Sequence, residues 1–538
     1  MNKREQWPQD VYEGLQECCI GGRTVTIYKD MPDTLYHALK LTAEKYPDKT
    51  ALVEEDVKSL TYKEFLDAVD RLAADLSIRE GVRHGDTVGL LIANRLEFAI
   101  GYLALVKLGA VFVSLPGKFQ KPELESLIEK AEVKLIIAEQ KYYDWFHDRE
   151  DLKVLLCGPV TDSYGFSGLL EGLPEDADVP AAGKPEDPVI LMFTSGTTSQ
   201  SKGVLLRNYN VMQSVDAYCR TLHLSSEDRT LLATPMYHIT GLVCILSVFL
   251  RVGATIYIQH KVDSENMIQC ITKNELTFFH ASPTVFAILL ESAQKYPNVP
   301  SMKGWACGSG NMPPARIRAL YNWMPQAQFH TVFGMTETTG AGTIFPGGAA
   351  ESPYIGSSGI PMPDLEVKIL GDGDQELPDG EVGEIILKGS FLLERYYKMD
   401  SPDIMPGGWV RTGDLGYLNE AGYLYVVDRK KDMINRGGEK ICSFDVENEL
   451  TQIPGILEAA VVGIPDVKYI EVPVAMIVKE KGATITEDEI KDILKDRLAK
   501  YKRPVSYYFV DDVPHTATGK VSKKDIRAEI CRIRGIEV

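Results

Sequence analysis

Helical and strand-like patterns alternate along the first half of the chain, and this alternation limits the folds open to it. Segments 35–45 and 63–76 carry apolar residues at helical spacing. Short apolar runs typical of buried strands lie between and after such helices, at 87–92, 111–114, 134–138, 255–258 and 277–280. Because strands separated by helices tend to pair in parallel, the pattern predicts layered α/β sheets.

The pattern of predicted strands and helices changes twice in the second half of the chain. From about Gly356, strand patterns at 365–370, 383–388 and 423–427 are separated by glycine and aspartate turns, which predicts an antiparallel β subdomain. After Asp428, strand patterns at 457–462 and 474–478 precede an amphipathic helix pattern at 487–501. We therefore predict a large N-terminal domain over residues 1–428 and a small α+β C-terminal domain over 429–538.

The composition indicates a folded protein without nucleic-acid or membrane partners. Of 538 residues, 44% are hydrophobic and 25% charged, and the net charge of −18 opposes a broad basic surface. The most apolar stretch, 242–250, is shorter than the roughly 20 residues that cross a bilayer. The N-terminal segment lacks a signal-peptide core, and the nine cysteines show no metal-ligand spacing. We expect a cytoplasmic protein with free thiols and no transmembrane segment.

A loop rich in hydroxyl groups follows an apolar strand pattern. It contains Thr194, Ser195, Gly196, Thr197 and Thr198 and ends at Lys202. Such a loop can wrap phosphates with its N–H and O–H groups while the lysine adds positive charge. It does not fit the Walker A spacing. A solvated Ser/Thr turn is an equally good interpretation of the loop alone.

Two acidic motifs follow. Glu337, after Thr336, would suit Mg²⁺ beside a triphosphate, because this ion prefers carboxylate, water and phosphate oxygens. Asp414, in a glycine-flanked turn, could accept both hydroxyls of a ribose. Taken singly, each is more often a solvated or structural residue.

The C-terminal unit carries two further motifs. A charged segment that includes Arg429 and Lys431 leads into the glycine loop 437–440, and Lys520 ends the short loop 514–520. Charge runs usually form a solvated face, and an isolated lysine is usually exposed. Neither motif is decisive alone.

In their order along the chain, these motifs resemble the signature series of the adenylate-forming superfamily, which includes acyl- and aryl-CoA synthetases, amino-acid adenylation domains and beetle luciferase. The resemblance runs from about residue 35 to 525, and further matches at 235–241, 308–313 and 462–466 support it. Departures are few. Ser199 and Ser201 stand where the family's phosphate loop has glycine and proline, Arg395 precedes a Tyr-Tyr pair that usually follows glycine, and Ser443 replaces a common proline.

The resemblance implies ATP, Mg²⁺ and coenzyme A as the small-molecule partners of a carboxylic acid. The residues expected to bind ATP are Thr194, Ser195, Gly196, Thr197, Thr198, Lys202, Gly310, Phe333, Gly334, Met335, Thr336, Asp414, Tyr425 and Arg429. Glu337 is expected to bind the metal. Lys520 is expected to bridge the carboxylate and the α-phosphate, and the expected catalytic residues are Lys520, Thr336, Glu337 and His238.

The superfamily rotates its C-terminal domain between its two half-reactions, and the resemblance assigns the hinge to Lys431. After rotation, the loop of Gly437, Gly438, Glu439 and Lys440 would line the tunnel for the pantetheine arm of coenzyme A. His238 occupies the position of the gate between this tunnel and the acyl site.

The acceptor and the acid are less constrained than the adenylation. Ile239 stands where enzymes for α-amino acids place an aspartate, so a buried ammonium would lack its partner. A carrier-protein thiol remains an alternative acceptor, and a non-catalytic nucleotide-binding protein is disfavoured because Lys520 and Glu337 are present. The expected acyl pocket consists of His238, Ile239, Ser282, Ser309, Gly310, Phe333, Met335 and Gly340. The pocket walls are otherwise apolar or small, with Ser282 and the neighbouring His280 as polar exceptions, so a hydrophobic or aromatic acid is expected. The chain length and ring content of the acid stay open, as does the oligomeric state of the protein.

Overall fold

The structure is a computed structural model. It describes residues 4–54, 57–158, 177–194, 201–260, 263–293, 295–296, 298–310, 312–340, 342–516 and 520–536.

The helices of the described chain follow the apolar spacing of the sequence. They run over Gln9–Tyr12, Leu35–Lys45, Tyr62–Ile78, Leu96–Leu108, Lys121–Lys130, Gln140–Phe146, Asn208–Thr221, Val248–Val252, Ser264–Lys273, Pro283–Leu290, Pro314–Trp323, Ser443–Thr451, Glu487–Arg497 and Lys523–Arg534. The predicted helix at 487–501 is too long by four residues. Leu498 leaves the helical conformation, and its carbonyl accepts a 2.7 Å hydrogen bond from Nε of Arg503.

Two largely parallel sheets form the layers of the N-terminal part. One has six strands in the spatial order Lys202–Arg207, Pro188–Thr194, Val111–Ser114, Thr87–Leu91, Leu135–Ala138 and Lys153–Leu156. The other has nine, in the order Ile360–Pro361, Thr343–Ile344, Gln328–Phe333, Gly304–Cys307, Phe278–Ala281, Arg229–Leu232, Thr255–Ile258, Thr50–Glu54 and Lys58–Thr61. Antiparallel pairs occur only at their edges. The predicted layered α/β architecture is confirmed.

Antiparallel pairing dominates the remaining sheets. A hairpin joins Leu15–Ile20 to Arg23–Tyr28. The β subdomain is a five-stranded sheet of Glu366–Leu370, Gly383–Lys388, Ile404–Met405, Trp409–Leu418 and Leu424–Arg429. The last sheet contains Ile434–Arg436, Glu439–Ile441, Ile456–Asp466, Ile470–Lys479 and Tyr507–Val510, of which only the last pairs in parallel.

The buried apolar side chains form separate cores. One large cluster spans residues 7–424 and a smaller one residues 91–191, whereas two further clusters consist only of residues between 434 and 531. The C-terminal unit thus has a core of its own on each face of its sheet. Among the described residues, no helix is both long and apolar enough to cross a membrane.

Candidate active site

A cavity opens where neighbouring parallel strands of the nine-stranded sheet end. Phe278–Ala281, Gly304–Cys307 and Gln328–Phe333 run in the same direction, so their carboxyl ends deliver Gly308 and Gly334 to one edge. Ligands of open α/β sheets bind at such edges. About 330 Å³ of atom-free space lies here, lined by His238, Ile239, Thr240, His280, Gly308, Ser309, Val332, Gly334, Met335, Thr336, Gly340 and Lys520.

His238 lies just before an unusual helix. Residues Thr240–Ser247 form a π-helix, a rare conformation that often marks functional sites. The backbone N–H of Thr240 donates a 3.3 Å hydrogen bond to Nδ1 of His238. Burial and the nearby Lys520 ammonium lower the pKa of His238 to about 3, so the imidazole is neutral at physiological pH.

Glu337 is a buried carboxylate with a defined partner. It belongs to the single turn Thr336–Thr338 and is 6% exposed. The Tyr396 hydroxyl donates a 3.1 Å hydrogen bond to its Oε1. Burial raises the pKa of Glu337, while this hydrogen bond and Lys520 act in the opposite direction. A cation placed beside Glu337 would therefore be strongly stabilised.

Lys520 reaches the cavity from the C-terminal unit. Burial and the nearby Arg429 guanidinium lower the pKa of its ammonium to about 8. The carboxylates of Asp414 and Glu337 act in the opposite direction. The loop behind Lys520 is closed by Thr516, whose N–H donates to the Lys520 carbonyl at 2.7 Å and whose Oγ1 accepts from the Lys520 N–H at 3.2 Å.

The ends of the hydroxyl-rich loop are held by a β-hairpin. Thr194 and Lys202 are directly opposite each other in the antiparallel pair of Pro188–Thr194 and Lys202–Arg207. The Lys202 ammonium pairs with Asp403 and lies 5.2 Å from the centre of the Tyr396 ring. Ser195, Gly196, Thr197 and Thr198 lie outside the described residues.

Asp414 and Arg429 face each other across two antiparallel strands. Their Cα atoms are paired in the β subdomain, and Nε of Arg429 lies 3.6 Å from Oδ1 of Asp414. Burial raises the pKa of Asp414, and the Arg429 guanidinium opposes this. Tyr425, on the same strand as Arg429, stacks on Tyr417 with ring centres 4.9 Å apart.

The junction of the two parts is fixed by a buried carboxylate. Asp428 is fully buried and accepts hydrogen bonds from the Ser443 N–H at 2.6 Å and the Ser443 hydroxyl at 2.7 Å. The strand that carries Asp428 therefore holds the start of the helix Ser443–Thr451. Lys431 is exposed between these points.

The glycine loop 437–440 does not line the cavity. Gly437 and Gly438 form the turn between two short strands, with φ of 63° and 99°, a region that strongly favours glycine. The Gly437 N–H donates to the Tyr469 carbonyl at 2.6 Å, and Glu439 and Lys440 are exposed.

The structure brings many, but not all, of the predicted residues together. Of the expected acyl-pocket residues, those that line the cavity are His238, Ile239, Ser309, Met335 and Gly340. Ser282 precedes the helix Pro283–Leu290, and an added Cβ on Gly310 would lie 3.3 Å from Pro283, the first residue of this helix. Phe333 is the last strand residue before the lining Gly334.

Two residues near the site were absent from the predicted set. Tyr396 supports Glu337, and a sequence signal existed, since Tyr396 follows Arg395 in the segment that resembles the family's Gly-Tyr-Tyr. Asp403 pairs with Lys202. No local pattern marks this aspartate, because its partner is distant in the sequence.

The donor set fits a magnesium-bound triphosphate. Glu337 supplies a buried carboxylate oxygen, the ligand type that Mg²⁺ prefers. Lys202 and Lys520 are near enough that their positive charges favour the charged form of Glu337. An anion of high charge with its metal would balance these groups better than water.

Two family matches cover most of the chain. Residues 39–397 match the AMP-binding enzyme family, and residues 445–520 match the AMP-binding enzyme C-terminal domain. The chain is 31% identical over 504 residues to the indoleacetate–CoA ligase of Aromatoleum aromaticum. This alignment covers 90% of this chain and 96% of that protein.

Solved structures agree with these matches. The o-succinylbenzoate–CoA synthetase MenE of Bacillus subtilis, in complex with the acyl-adenylate intermediate OSB-AMP, has a TM-score of 0.80 and 30% identity, over 91% of this chain and 97% of that chain. The same protein in complex with ATP and a magnesium ion has a TM-score of 0.80 and 29% identity, over 91% and 99%. The chain therefore belongs to the AMP-binding enzyme family, the adenylate-forming superfamily that the order of its motifs predicts.

Proposed function

We propose that this chain converts a carboxylic acid and ATP to an acyl-AMP and pyrophosphate, and then transfers the acyl group to coenzyme A with release of AMP. The chain is an enzyme of the AMP-forming acid–thiol ligase type. The relatives that match it along nearly their whole length are acid–CoA ligases.

The observation that carries the proposal is the position of Lys520. This lysine of the C-terminal unit shares one cavity with Thr336 and His238 of the N-terminal part. The carboxylates of Asp414 and Glu337 favour the charged form of its ammonium group. Residues that are distant in the sequence and belong to different units thus line one cavity.

Adenylation needs positive charge at this point. A carboxylate is a poor acyl donor because oxide would have to leave, whereas AMP leaves readily. Attack of the carboxylate on the α-phosphate of ATP forms the new C–O–P linkage and breaks the bond to pyrophosphate. Negative charge gathers around the α-phosphate in the transition state, and fixed cations and donors stabilise it. We assign this role to Lys520 and Thr336.

The remaining nucleotide contacts follow the geometry. Asp414 would accept the ribose hydroxyls, with Arg429 beside it, and the stacked pair of Tyr417 and Tyr425 offers an aromatic surface for adenine. Lys202 would release Asp403 and bind the outer phosphates together with the loop 194–198. Phe333 ends the strand Gln328–Phe333, and Gly334 and Met335 lead from it to Thr336.

Glu337 would hold the magnesium ion, whose contribution is to neutralise charge on the phosphates. The carboxylate is kept in place by the Tyr396 hydroxyl. Burial raises its pKa, so an unpaired Glu337 anion is disfavoured and a cation partner is favoured.

Thioester formation requires the C-terminal unit to move. Lys520 covers the space where the thiol must approach, while the loop 437–440 lies exposed elsewhere. We propose that residues 429–538 form a mobile domain, that it rotates near Lys431, and that the loop of Gly437 to Lys440 then lines the pantetheine path. The separate cores of this unit support a rigid-body motion. His238, neutral and at the cavity wall, would act as the gate.

A carrier-protein acceptor is not favoured. Carrier proteins present the same pantetheine arm, so the cavity itself would accept either thiol donor. The relatives nevertheless carry the names of CoA ligases. The cytoplasm is the compartment we propose, since all nine cysteines are described and none of them forms a disulfide.

The test is an assay of pyrophosphate exchange and AMP release across a library of carboxylic acids. We expect exchange with ATP and the correct acid alone, and net AMP release only when coenzyme A is added. Acylation of a carrier protein without any acylation of coenzyme A would contradict our assignment of coenzyme A as the acceptor. An absence of exchange with every acid would contradict the adenylation itself.

A further inference from the structure

The acid cavity contains one buried polar atom that has no partner. Among the described residues, Nε2 of His280 is fully enclosed and makes no hydrogen bond. His280 is 2% exposed, lies on the strand Phe278–Ala281 and lines the cavity. Buried polar atoms are hydrogen-bonded in most folded proteins, and each exception asks for an explanation.

The position of Nε2 indicates what could reach it. A Cβ built on Gly308 would lie 3.5 Å from Nε2 of His280 and 3.4 Å from the Val332 carbonyl oxygen. Gly308 and Val332 both line the cavity. Nε2 of His280 thus lies next to two other residues of the cavity lining, and no side chain of Gly308 stands between it and the cavity.

The side chains behind His280 give its Nε2 no hydrogen-bond partner. The ring of Tyr218 lies 6.4 Å from the His280 ring, and its hydroxyl lies beside the Cys244 thiol. Burial, together with the neighbouring His330, lowers the pKa of His280 to about 4. His280 is therefore neutral, and Nε2 either donates or accepts one hydrogen bond depending on the tautomer.

The charges of the cavity restrict the group that could bind there. Its described lining contains no Asp or Glu, so a substrate ammonium would be buried without a counter-charge. Lys520 is the only Lys or Arg in that lining, and the proposed function commits it to the reacting carboxylate. A second carboxylate would thus lack a partner as well. A neutral hydroxyl, which both donates and accepts, suits either tautomer of His280.

We propose that the acid carries a neutral hydroxyl group remote from its carboxylate, and that His280 is the specificity-determining residue that hydrogen-bonds it over Gly308. This inference rests on the proposed function and deepens it. A ring-bearing hydroxy acid agrees with the expectation from the sequence that the acid is hydrophobic or aromatic.

The experiment compares kcat/KM for matched pairs of acids that differ only by a hydroxyl. Phenylacetic, phenylpropanoic and cinnamic acids would be assayed with their ring-hydroxylated forms, by pyrophosphate exchange with the full-length enzyme. We expect at least one pair to show a preference of about tenfold or more for the hydroxy acid, because a buried site built for a hydroxyl rejects the analogue that lacks it.

Four variants locate the origin of that preference. His280→Phe should reduce the ratio within the preferred pair to below about threefold, and His280→Gln should restore part of it. Gly308→Ala should reduce it too, since the new methyl group fits at ordinary contact distances but lies against Nε2. Tyr218→Phe is the control in the layer behind and should keep the ratio. If His280→Phe fails to fold, Gly308→Ala gives the same comparison.

The outcomes separate this inference from the proposed function. Activity on the unsubstituted acids without preference in any pair would overturn the inference and leave the function standing. An unchanged ratio in Gly308→Ala and His280→Phe, or an equal loss in Tyr218→Phe, would overturn the assignment to Nε2. A lack of exchange with every acid would overturn the function and this inference with it.

Discussion

The Tyr396 hydroxyl donates a 3.1 Å hydrogen bond to Oε1 of Glu337, although 59 residues separate the two in the sequence. The bond is buried, and it fixes the orientation of the one carboxylate that is proposed to hold the metal. Such supporting partners matter because they hold a ligand ready before the metal binds.

Replacing Tyr396 by phenylalanine should weaken magnesium binding. Loss of the hydrogen bond leaves Glu337 buried with one partner fewer, which raises its pKa further and lets the side chain move. We expect the Mg²⁺ concentration for half-maximal pyrophosphate exchange to rise about 10-fold or more. The neighbouring Tyr397→Phe is the control, since the Tyr397 ring contacts Lys398. Equal magnesium dependence in both variants would refute this role of Tyr396.

The pH dependence of adenylation should reflect Lys520. Its pKa is lowered to about 8, so the ammonium is present below this pH and is lost as the pH rises through it. We expect kcat/KM for the acid in pyrophosphate exchange to fall above about pH 8, because kcat/KM reports the free enzyme. In Lys520→Arg the guanidinium stays charged, so any residual activity should lack this decline. A decline of the same midpoint in Lys520→Arg would show that another group titrates.

Much of the site could be predicted from the sequence because the order of motifs is a property of the chain itself. The strand ends and the positions of Glu337, Asp414 and Lys520 follow from local patterns and from resemblance. The pairing of Lys202 with Asp403 could not be predicted, because the two are 201 residues apart and meet only through the tertiary fold.

The π-helix after His238 was hidden for a different reason. Its residues, Thr240–Ser247, are almost uniformly buried, so the apolar run shows no face from which a helical period could be read. Ser282 directly precedes the helix Pro283–Leu290, and its place in the pocket wall stays a prediction.

Gly340 should tolerate no side chain. A Cβ there would lie 2.4 Å from Sγ of Cys244, and the backbone φ of 102° is strained for other residues. We expect Gly340→Ala to lower kcat/KM for the acid about 100-fold, since a displacement of roughly 1 Å in a site can have this effect. Gly380→Ala is the matched control: its φ is 90°, but nothing lies within 4 Å of the new Cβ. Similar losses in both variants would attribute the effect to backbone strain alone.

The junction should loosen when Ser443 loses its hydroxyl. Ser443→Ala removes one of the hydrogen bonds to the buried Asp428 carboxylate, and such bonds contribute about 1.5–3 kcal/mol. Hydrogen exchange of the helix Ser443–Thr451 should accelerate accordingly. Ser506→Ala, whose hydroxyl contacts only the exposed Arg534 side chain in the described part of the chain, serves as the control. Unchanged exchange in Ser443→Ala would mean that the backbone N–H of Ser443 suffices.

The two half-reactions of Lys520→Ala test the central claim most directly. Pyrophosphate exchange with the best acid and thioester formation from supplied acyl-AMP and coenzyme A would be measured on the same preparation. We expect a loss of exchange of at least about 100-fold, since a fixed charge at the transition state is removed. We also expect a thioester rate within about threefold of the unmodified enzyme, because Lys520 has left the cavity by then. Loss of both half-reactions, or retention of exchange, would refute the assignment of Lys520 to adenylation alone.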